Sequence, residues 1–484
     1  MPAATRWTPA VLRREALAGL VVALALIPEA ISFSIIAGVD PRLGLFASVT
    51  MAISISIVGG RPAMISAATG AVALVVAPVA REHGVDYLIA TVLLAGIFQV
   101  VLGLLGVARL MKFVPRSVMT GFVNALAILI ASAQLPYLTG VTWTVYPAVA
   151  LGVLVIIFFP RVTTAVPAPL VAVAVVAAFG LALGLDLPDV GDQGELPTSL
   201  PVPGLPDVPL TWATLQIIAP YALGMAVVGL LESLLTASLV DEITDTRSDK
   251  VRESWGQGVA NLVTGVFGGM GGCAVIGQTM INVRISGART RLSTFLAGAF
   301  LLALVLGLGD VVAAIPMAAL VAIMIMVSFG AFDWHSVKPA TLRRMPRSET
   351  TVMLVTVVAT LLTHNLAIGV GVGVITAAVL FARRVATLVE VVGGPVVDGR
   401  RTYTVRGELF FASSNDLVSQ FDYVDDPAEV VLDLSESHVW DASTVAALDA
   451  VETKYAARGK RVEIVGLNTA SAAMRDRLAG HFGP

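Results

Sequence analysis

The chain has 484 residues, 56% of them hydrophobic and 13% charged, with a mean hydropathy of +0.86. A soluble domain carries about 25% charged residues, so this composition leaves too little polar surface for a soluble protein, and lipid is expected to be the main solvent. The net charge of -3 argues against a nucleic-acid partner, and the single cysteine, Cys273, excludes a disulfide framework and any Cys-based metal site.

A helix that crosses a bilayer needs about 20 largely apolar residues. Stretches of this kind run over Ala16–Ile36, Leu43–Val58, Ala67–Val79, Tyr87–Ala108, Ser117–Ala133, Val145–Phe159 and Val166–Leu185. A second set covers Leu215–Val240, Gly256–Phe267, Val275–Ile285, Ser293–Leu308, Val311–Phe329, Thr350–Thr363 and Ala367–Leu388. The first stretch lacks a cleavage site and is followed by many like it, so it reads as a retained helix. The stretches at Ala67 and Val275 are short for a span. If all fourteen cross and residues 1–14 are cytoplasmic, 20 basic residues fall on the cytoplasmic side. Only Arg42 and Arg81 fall outside, and the other nine of the 31 lie beyond Gly399. That asymmetry is what the positive-inside rule requires, and one missed or extra helix would destroy it.

Between the two sets lies Leu187–Leu210, rich in proline and acid and free of basic residues, which suits an external loop. Seven helices per half make the second half enter from the opposite face. The predicted transmembrane domain therefore spans residues 15–390 as two inverted repeats, about 15–186 and 211–390. Each half places an acid in its first helix, Glu29 and Glu232, and a small Gly/Thr-containing entry to its short third helix. The spacing is 40 residues from Glu29 to Thr69 and 47 from Glu232 to Thr279. After the last helix, Gly393-Gly394-Pro395 reads as a linker. Strands at 403–406, 409–411, 430–434 and 461–467 then alternate with helices, which predicts a small cytoplasmic α/β domain over residues 391–484.

A carboxylate at bilayer depth costs at least a few kcal/mol and by default marks an ion or proton pathway. Glu29 and Glu232 are therefore the leading coupling residues, the alternative being helix-packing carboxylates bonded to neighbouring hydroxyls. A half-helix that begins inside the membrane presents unpaired N–H groups and a positive dipole end, which favours an anion. Thr69, Gly70 and Ala71 on one side and Gln278 and Thr279 on the other suit two such ends; close packing of small residues is the competing reading. No P-loop, zinc spacing or catalytic triad is present, the histidines are scattered, and neither an enzyme nor a cofactor is expected. The run Asp241–Glu253, rich in both signs, reads as a solvated cytoplasmic loop. In the tail, Asp441 or Ser443 is placed to cap a helix, and Ser443 is also a candidate for phosphorylation.

The chain resembles the SulP anion permeases, called solute carrier family 26 in animals. The resemblance rests on Ala18-Gly-Leu with Ile27-Pro-Glu-Ala-Ile-Ser-Phe33, on Glu232-Ser-Leu-Leu-Thr236, on Gly256-Gln-Gly-Val-Ala-Asn261 and on Gly277–Val283 with Thr290-Arg-Leu-Ser293. The tail resembles a STAS domain, the fold of anti-sigma-factor antagonists. The resemblance implies a uracil-transporter-like arrangement in which a core of helices one to four and eight to eleven moves against a gate domain. It implies a homodimer and an anion held by Thr69, Gly70, Ala71, Gly277, Gln278 and Thr279, with Phe33 lining the site. It also implies that any bound sodium would use Glu232, Thr236, Gly277 and Thr279. Two features depart from the family pattern. Thr279 stands where some animal members carry an arginine, and Ala442 and Thr444 replace parts of the antagonists' Asp-Ser-Ser-Gly around Ser443.

The function expected from these readings is proton-coupled transport of small C4-dicarboxylate or sulfate-like anions across a bacterial inner membrane. Sodium-coupled bicarbonate transport is the alternative within transport. An anion channel, or a membrane sensor signalling through the STAS domain, is the alternative from another class.

Overall fold

The computed structural model describes residues 8–163 and 166–480; residues 1–7 of the expected N-terminal segment lie outside them. The first half contains α1 (Pro9–Ala37), α2 (Pro41–Val58), β1 (Ser66–Ala67), α3 (Gly70–His83), α4 (Val85–Leu104), α5 (Arg116–Ser132), α6 (Val145–Phe158) and α7 (Ala168–Leu183). The second contains α8 (Trp212–Thr244), α9 (Lys250–Val266), β2 (Cys273–Ala274), α10 (Ile276–Met280), α11 (Arg291–Gly307), α12 (Gly309–Ala313), α13 (Met317–Ala331), α14 (Pro339–Arg344), α15 (Arg347–Thr363) and α16 (Leu366–Ala386). By length and composition alone, six of the described helices are long and apolar enough to cross a membrane, among them α1, α2, α4, α8 and α16.

Each apolar stretch read from the sequence is helical over most of its length. The twelfth is broken into α12 and α13, where the Ile315-Pro316 step disfavours helix before the proline. The tenth is α10 followed by a π turn, Ile281–Ile285, of the kind often found at functional sites. Helix α1 starts earlier than its apolar run because Thr8 caps it, its side chain accepting from Val11 N, with a proline at the first position.

Where helices lack a hydrophobic drive toward one another, small residues let backbones approach. The α4–α9 contact shows it: a Cβ on Gly258 would stand 2.6 Å from the Gly96 carbonyl oxygen. Strands β1 and β2 pair antiparallel, Ser66 with Ala274 and Ala67 with Cys273. This two-residue ladder sets the entries of α3 and α10 side by side.

The run Asp241–Glu253 differs from the expected solvated loop. It ends α8 and begins α9, and Glu253 is fully buried. Its carboxylate accepts from Gly60 N at 2.8 Å, Arg61 N at 2.9 Å and Gln257 Nε2 at 2.8 Å. Asp241 pairs with Arg61 at 2.9 Å and Lys250 at 2.8 Å. Two-sign patterning looks the same in sequence whether charges meet water or each other.

The chain divides into two compact units, the second beginning at Ile375. Within that second unit, β3 (Glu390–Val397), β4 (Arg400–Leu409), β5 (Glu429–Val439) and β6 (Arg461–Val465) form one sheet in that order. β3 and β4 are antiparallel, and the other two pairs are parallel. Helices α17 (Phe411–Ser419), α18 (Ala442–Ala456) and α19 (Thr469–Leu478) accompany it. The expected linker Gly393–Pro395 lies inside β3, at a register shift between Gly393 and Val396; an edge strand with a bulge tolerates a proline. Val430, Leu432 and Leu434 alternate into the core against Val445, Leu448 and Tyr455.

Candidate functional site

After β1, Ala68 N donates to Ser48 Oγ at 3.2 Å. Thr69 then caps α3, its hydroxyl accepting from Val72 N at 3.3 Å. Gly70 is the first helical residue, and a Cβ there would lie 2.9 Å from the Phe33 ring and 2.8 Å from Ile130 Cδ1. Phe33 of α1 and Ile130 of α5 therefore wall the start of α3, and the next residue, Ala71, is buried. Across the ladder α10 begins after Val275. Gly277 is exposed, with nothing within 4 Å of where its Cβ would stand, so the α10 entry faces open space. Gln278 is buried, and its Oε1 has no hydrogen-bond partner among the described residues.

The two acids approach this entry from different sides. Glu29, half-buried on α1 just after Pro28, meets the Gln278 side-chain amide. Glu232 on α8 is 7% exposed, and its Oε2 accepts from Cys273 Sγ at 3.0 Å. That sulfur lies 3.2 Å from Thr69 Oγ1. Phe33, Thr69 and Gly70 thus gather at the α3 entry and Gln278 with Glu29 at the α10 entry, with Glu232 joined to Thr69 through Cys273.

Two hydroxyls are occupied elsewhere. Thr236 donates to its own helix at Glu232 O, 2.8 Å. Thr279 accepts from Ile65 N at 3.0 Å and lies 3.4 Å from Ile65 O, which fastens α10 to the chain before β1. Ser443 belongs to the second unit, exposed in the first turn of α18. Capping there falls to Asp441, which accepts from Thr444 N at 3.0 Å.

Sequence reasoning missed Ile130 and the role of Cys273. Ile130 is one more apolar residue in an apolar helix and carries no signal. Cys273 stands two residues before the short stretch Val275–Ile285, where a thiol beside an apolar run reads as a small hydrophobe.

A bundle of apolar helices with half-helix entries and buried acids, joined to a small α/β domain, defines the class as an integral membrane transporter. The profile of the sulfate permease family matches residues 12–147 and 144–356, and that of the STAS domain matches residues 392–479. The "Putative sulfate transporter YbaR" of Bacillus subtilis (strain 168) is 54% identical over 468 residues, 97% of each chain. The "Bicarbonate transporter BicA" of Picosynechococcus sp. (strain ATCC 27264 / PCC 7002 / PR-6) is 29% identical over 409 residues, covering 78% of this chain and 71% of the relative. The structure of the murine Slc26a9 anion transporter in the inward-facing state is 15% identical, with a TM-score of 0.82 over 97% of this chain and 88% of that one, which shows the shared fold. The chain belongs to the sulfate permease family and carries a C-terminal STAS domain. It is an integral membrane transporter of sulfate or related small anions, and the family consists of transporters rather than enzymes.

Proposed function

We propose that the protein is a proton-coupled carrier of small dianions, sulfate or a C4-dicarboxylate, held between the entries of α3 and α10. The observation that carries this reading is that each entry has one acid at hand, half-buried Glu29 beside Gln278 and buried Glu232 joined to Thr69 through Cys273. Unpaired N–H groups at the α3 start supply the attraction for an anion, and Gly70 adds no side chain between that start and Phe33 or Ile130. Phe33 closes the site on its apolar side. Proton uptake by Glu29 or Glu232 would offset the charge of an incoming dianion, which a low-dielectric site otherwise penalises.

In this proposal all fourteen stretches cross the membrane as two inverted repeats, 15–186 and 211–390. Residues 1–14 and the STAS domain, 391–484, lie in the cytoplasm of a cell with the carrier in its inner membrane. The core, α1–α4 with α8–α11, moves against the rest as an elevator, in a homodimer. Ser443, exposed beside the α18 cap, is the position for any phosphate on the tail.

Bicarbonate with sodium is the second reading, supported by the similarity to a bicarbonate transporter. Sodium prefers oxygen ligands. Here the Thr236 hydroxyl donates to backbone and keeps its lone pairs free, but a thiol stands on Glu232 Oε2, where a sodium site needs an open oxygen. That contact favours a proton.

Purified protein in liposomes tests the reading. Dianion uptake is expected to follow an inward proton gradient without sodium, and uptake indifferent to that gradient refutes proton coupling. Glu29→Gln is expected to lose gradient-driven accumulation by at least about 10-fold while retaining anion exchange; unchanged accumulation removes Glu29 from the mechanism.

A further inference from the structure

The only thiol of the chain stands between a buried acid and a helix cap, and its donors and acceptors take one order when Glu232 is ionised. Val72 N donates to Thr69 Oγ1; that hydroxyl lies 3.2 Å from Cys273 Sγ, where either atom can donate, and with Glu232 ionised it donates to the sulfur. The sulfur then directs its S–H to Glu232 Oε2 at 3.0 Å. The S–H has a second acceptor in reach, the Ala274 carbonyl oxygen at 3.8 Å. We infer that Cys273 is a positioning residue that transmits the protonation state of Glu232 to the Thr69 cap of α3. The inference rests on the anion-carrier reading above and supplies a route between its acid and its anion site.

When Glu232 is ionised, the chain runs Thr69 O–H to sulfur and S–H to carboxylate. When Glu232 holds a proton, its O–H turns to the sulfur and the S–H turns to Ala274 O. The sulfur, a weak acceptor, then takes the carboxyl proton in place of the Thr69 hydroxyl. Thr69 is released as a donor toward the α3 entry, where an anion is attracted. Protonation and anion binding thereby favour each other, the reciprocity that linkage requires.

A separate observation points into the same space. Nε2 of Gln99 on α4 is buried with no partner among the described residues. A Cβ on Gly229, about one turn before Glu232, would lie 2.8 Å from that nitrogen and 3.5 Å from Cys273 Cβ. An unused donor therefore lies next to Gly229, on the stretch of α8 that also approaches Cys273.

Among the charged groups of the packed elements, Glu232 is the one whose carboxylate meets Cys273. On α1, Glu29 is engaged with Gln278, and Glu15 with Arg289 N and Thr290. On α9, Glu253 is held by Gly60, Arg61 and Gln257. On α3, Arg81, Glu82 and His83 lie in its last turn; on α4, Asp86 lies in its first; and on α8, Asp241 and Glu242 lie in its last. Gln278 is the neutral neighbour from α10.

Infrared spectroscopy of the full-length protein tests the relay without any substrate, because the S–H stretching band has Cys273 as its only source. The band is expected to move between acid and alkaline pH in the wild type and to stay fixed in Glu232→Gln. A band that ignores pH in the wild type, or still moves in Glu232→Gln, overturns the inference. Failure of the carrier reading would appear separately, as absence of anion uptake by the wild type. In proteoliposomes, the wild-type KM for sulfate is expected to change by about 10-fold between pH 6 and pH 8. Cys273→Ala is expected to flatten that profile, and Cys273→Ser, which keeps a donor and an acceptor, to restore it. A wild-type pH profile in Cys273→Ala overturns the relay.

Discussion

At the residue scale, the site depends on what is missing at position 70. Any side chain there points at Phe33 and Ile130, whose atoms would stand within 3 Å of the new Cβ. Gly70→Val is expected to weaken anion affinity by about 10-fold, or about 1.4 kcal/mol, because the branch covers the first N–H groups of α3. Equilibrium binding against a thermal melt in detergent separates this from misfolding. Glu253 makes the opposite case, a buried carboxyl group with a full set of donors. Each buried donor left unsatisfied costs about 1–3 kcal/mol, so Glu253→Ala is expected to lower the melting temperature sharply. A melt within a degree or two of wild type contradicts this account of Glu253. Both positions are visible in the sequence, yet only Gly70 stands out as a candidate. A glycine between a cap residue and an apolar helix has a recognisable context, whereas a buried carboxylate in a mixed-charge run does not.

At the element scale, α2 ends on carbonyls met by two arginines from other helices. Arg252 Nε donates to Val58 O at 3.0 Å and its Nη2 to Ile57 O at 3.2 Å. Arg291 Nη1 donates to Ser56 O at 3.1 Å, and its Nη2 reaches Gly59 O. Cations at a helix C-terminus complement its dipole and its orphan acceptors. Arg291→Met is expected to destabilise the protein by about 1–3 kcal/mol, read as a lower unfolding temperature. In the second unit, buried Asp426 accepts from Arg401 at 2.9 Å, Tyr403 at 2.9 Å and Tyr455. Burial, followed by the hydrogen bond to Asp426, pushes the Tyr455 hydroxyl above its usual range. A folded value raised above the unfolded one, about 10, gives stability that is complete below pH 10. That stability is lost as pH rises further. Melts of the wild type above pH 10 are therefore expected to fall more steeply than those of Tyr455→Phe; parallel curves would contradict this role.

At the scale of the whole transport unit, the segment Leu187–Leu210 is more than a connector between halves. At one end Val190 N donates to Ile315 O at 3.0 Å and Met317 N to Pro188 O at 2.8 Å. Further on, Arg42 pairs with Glu195 at 2.6 Å, Glu195 N donates to Asp40 Oδ1 at 3.3 Å, and Gly204 N donates to Val266 O at 2.8 Å. The segment is a strap from the start of α13 to the start of α2 and the end of α9. Gly194 is required at its bend: φ is +144°, and a Cβ would stand 2.2 Å from Asp40 Oδ1. Gly194→Val is expected to free the strap, raising amide exchange over residues 194–204 by about 10-fold, or about 1.4 kcal/mol of local opening. Protection equal to wild type contradicts this role for the glycine.

The sequence alone determined the solvent of this protein, the positions of its apolar helices and the change of architecture near residue 390. Those properties follow from composition and local periodicity, which each segment carries by itself. It also marked Thr69, Gly70, Gln278, Glu29 and Glu232 as candidates, because acids and small polar entries stand out against an apolar background. The tertiary structure decided which of these meet: Glu29 with Gln278, Glu232 with Thr69 through Cys273, and Thr236 and Thr279 with backbone. Residues 41 apart, Glu232 and Cys273, become partners only when β2 pairs with β1. No local pattern encodes that pairing, because it arises from packing between segments distant in the chain.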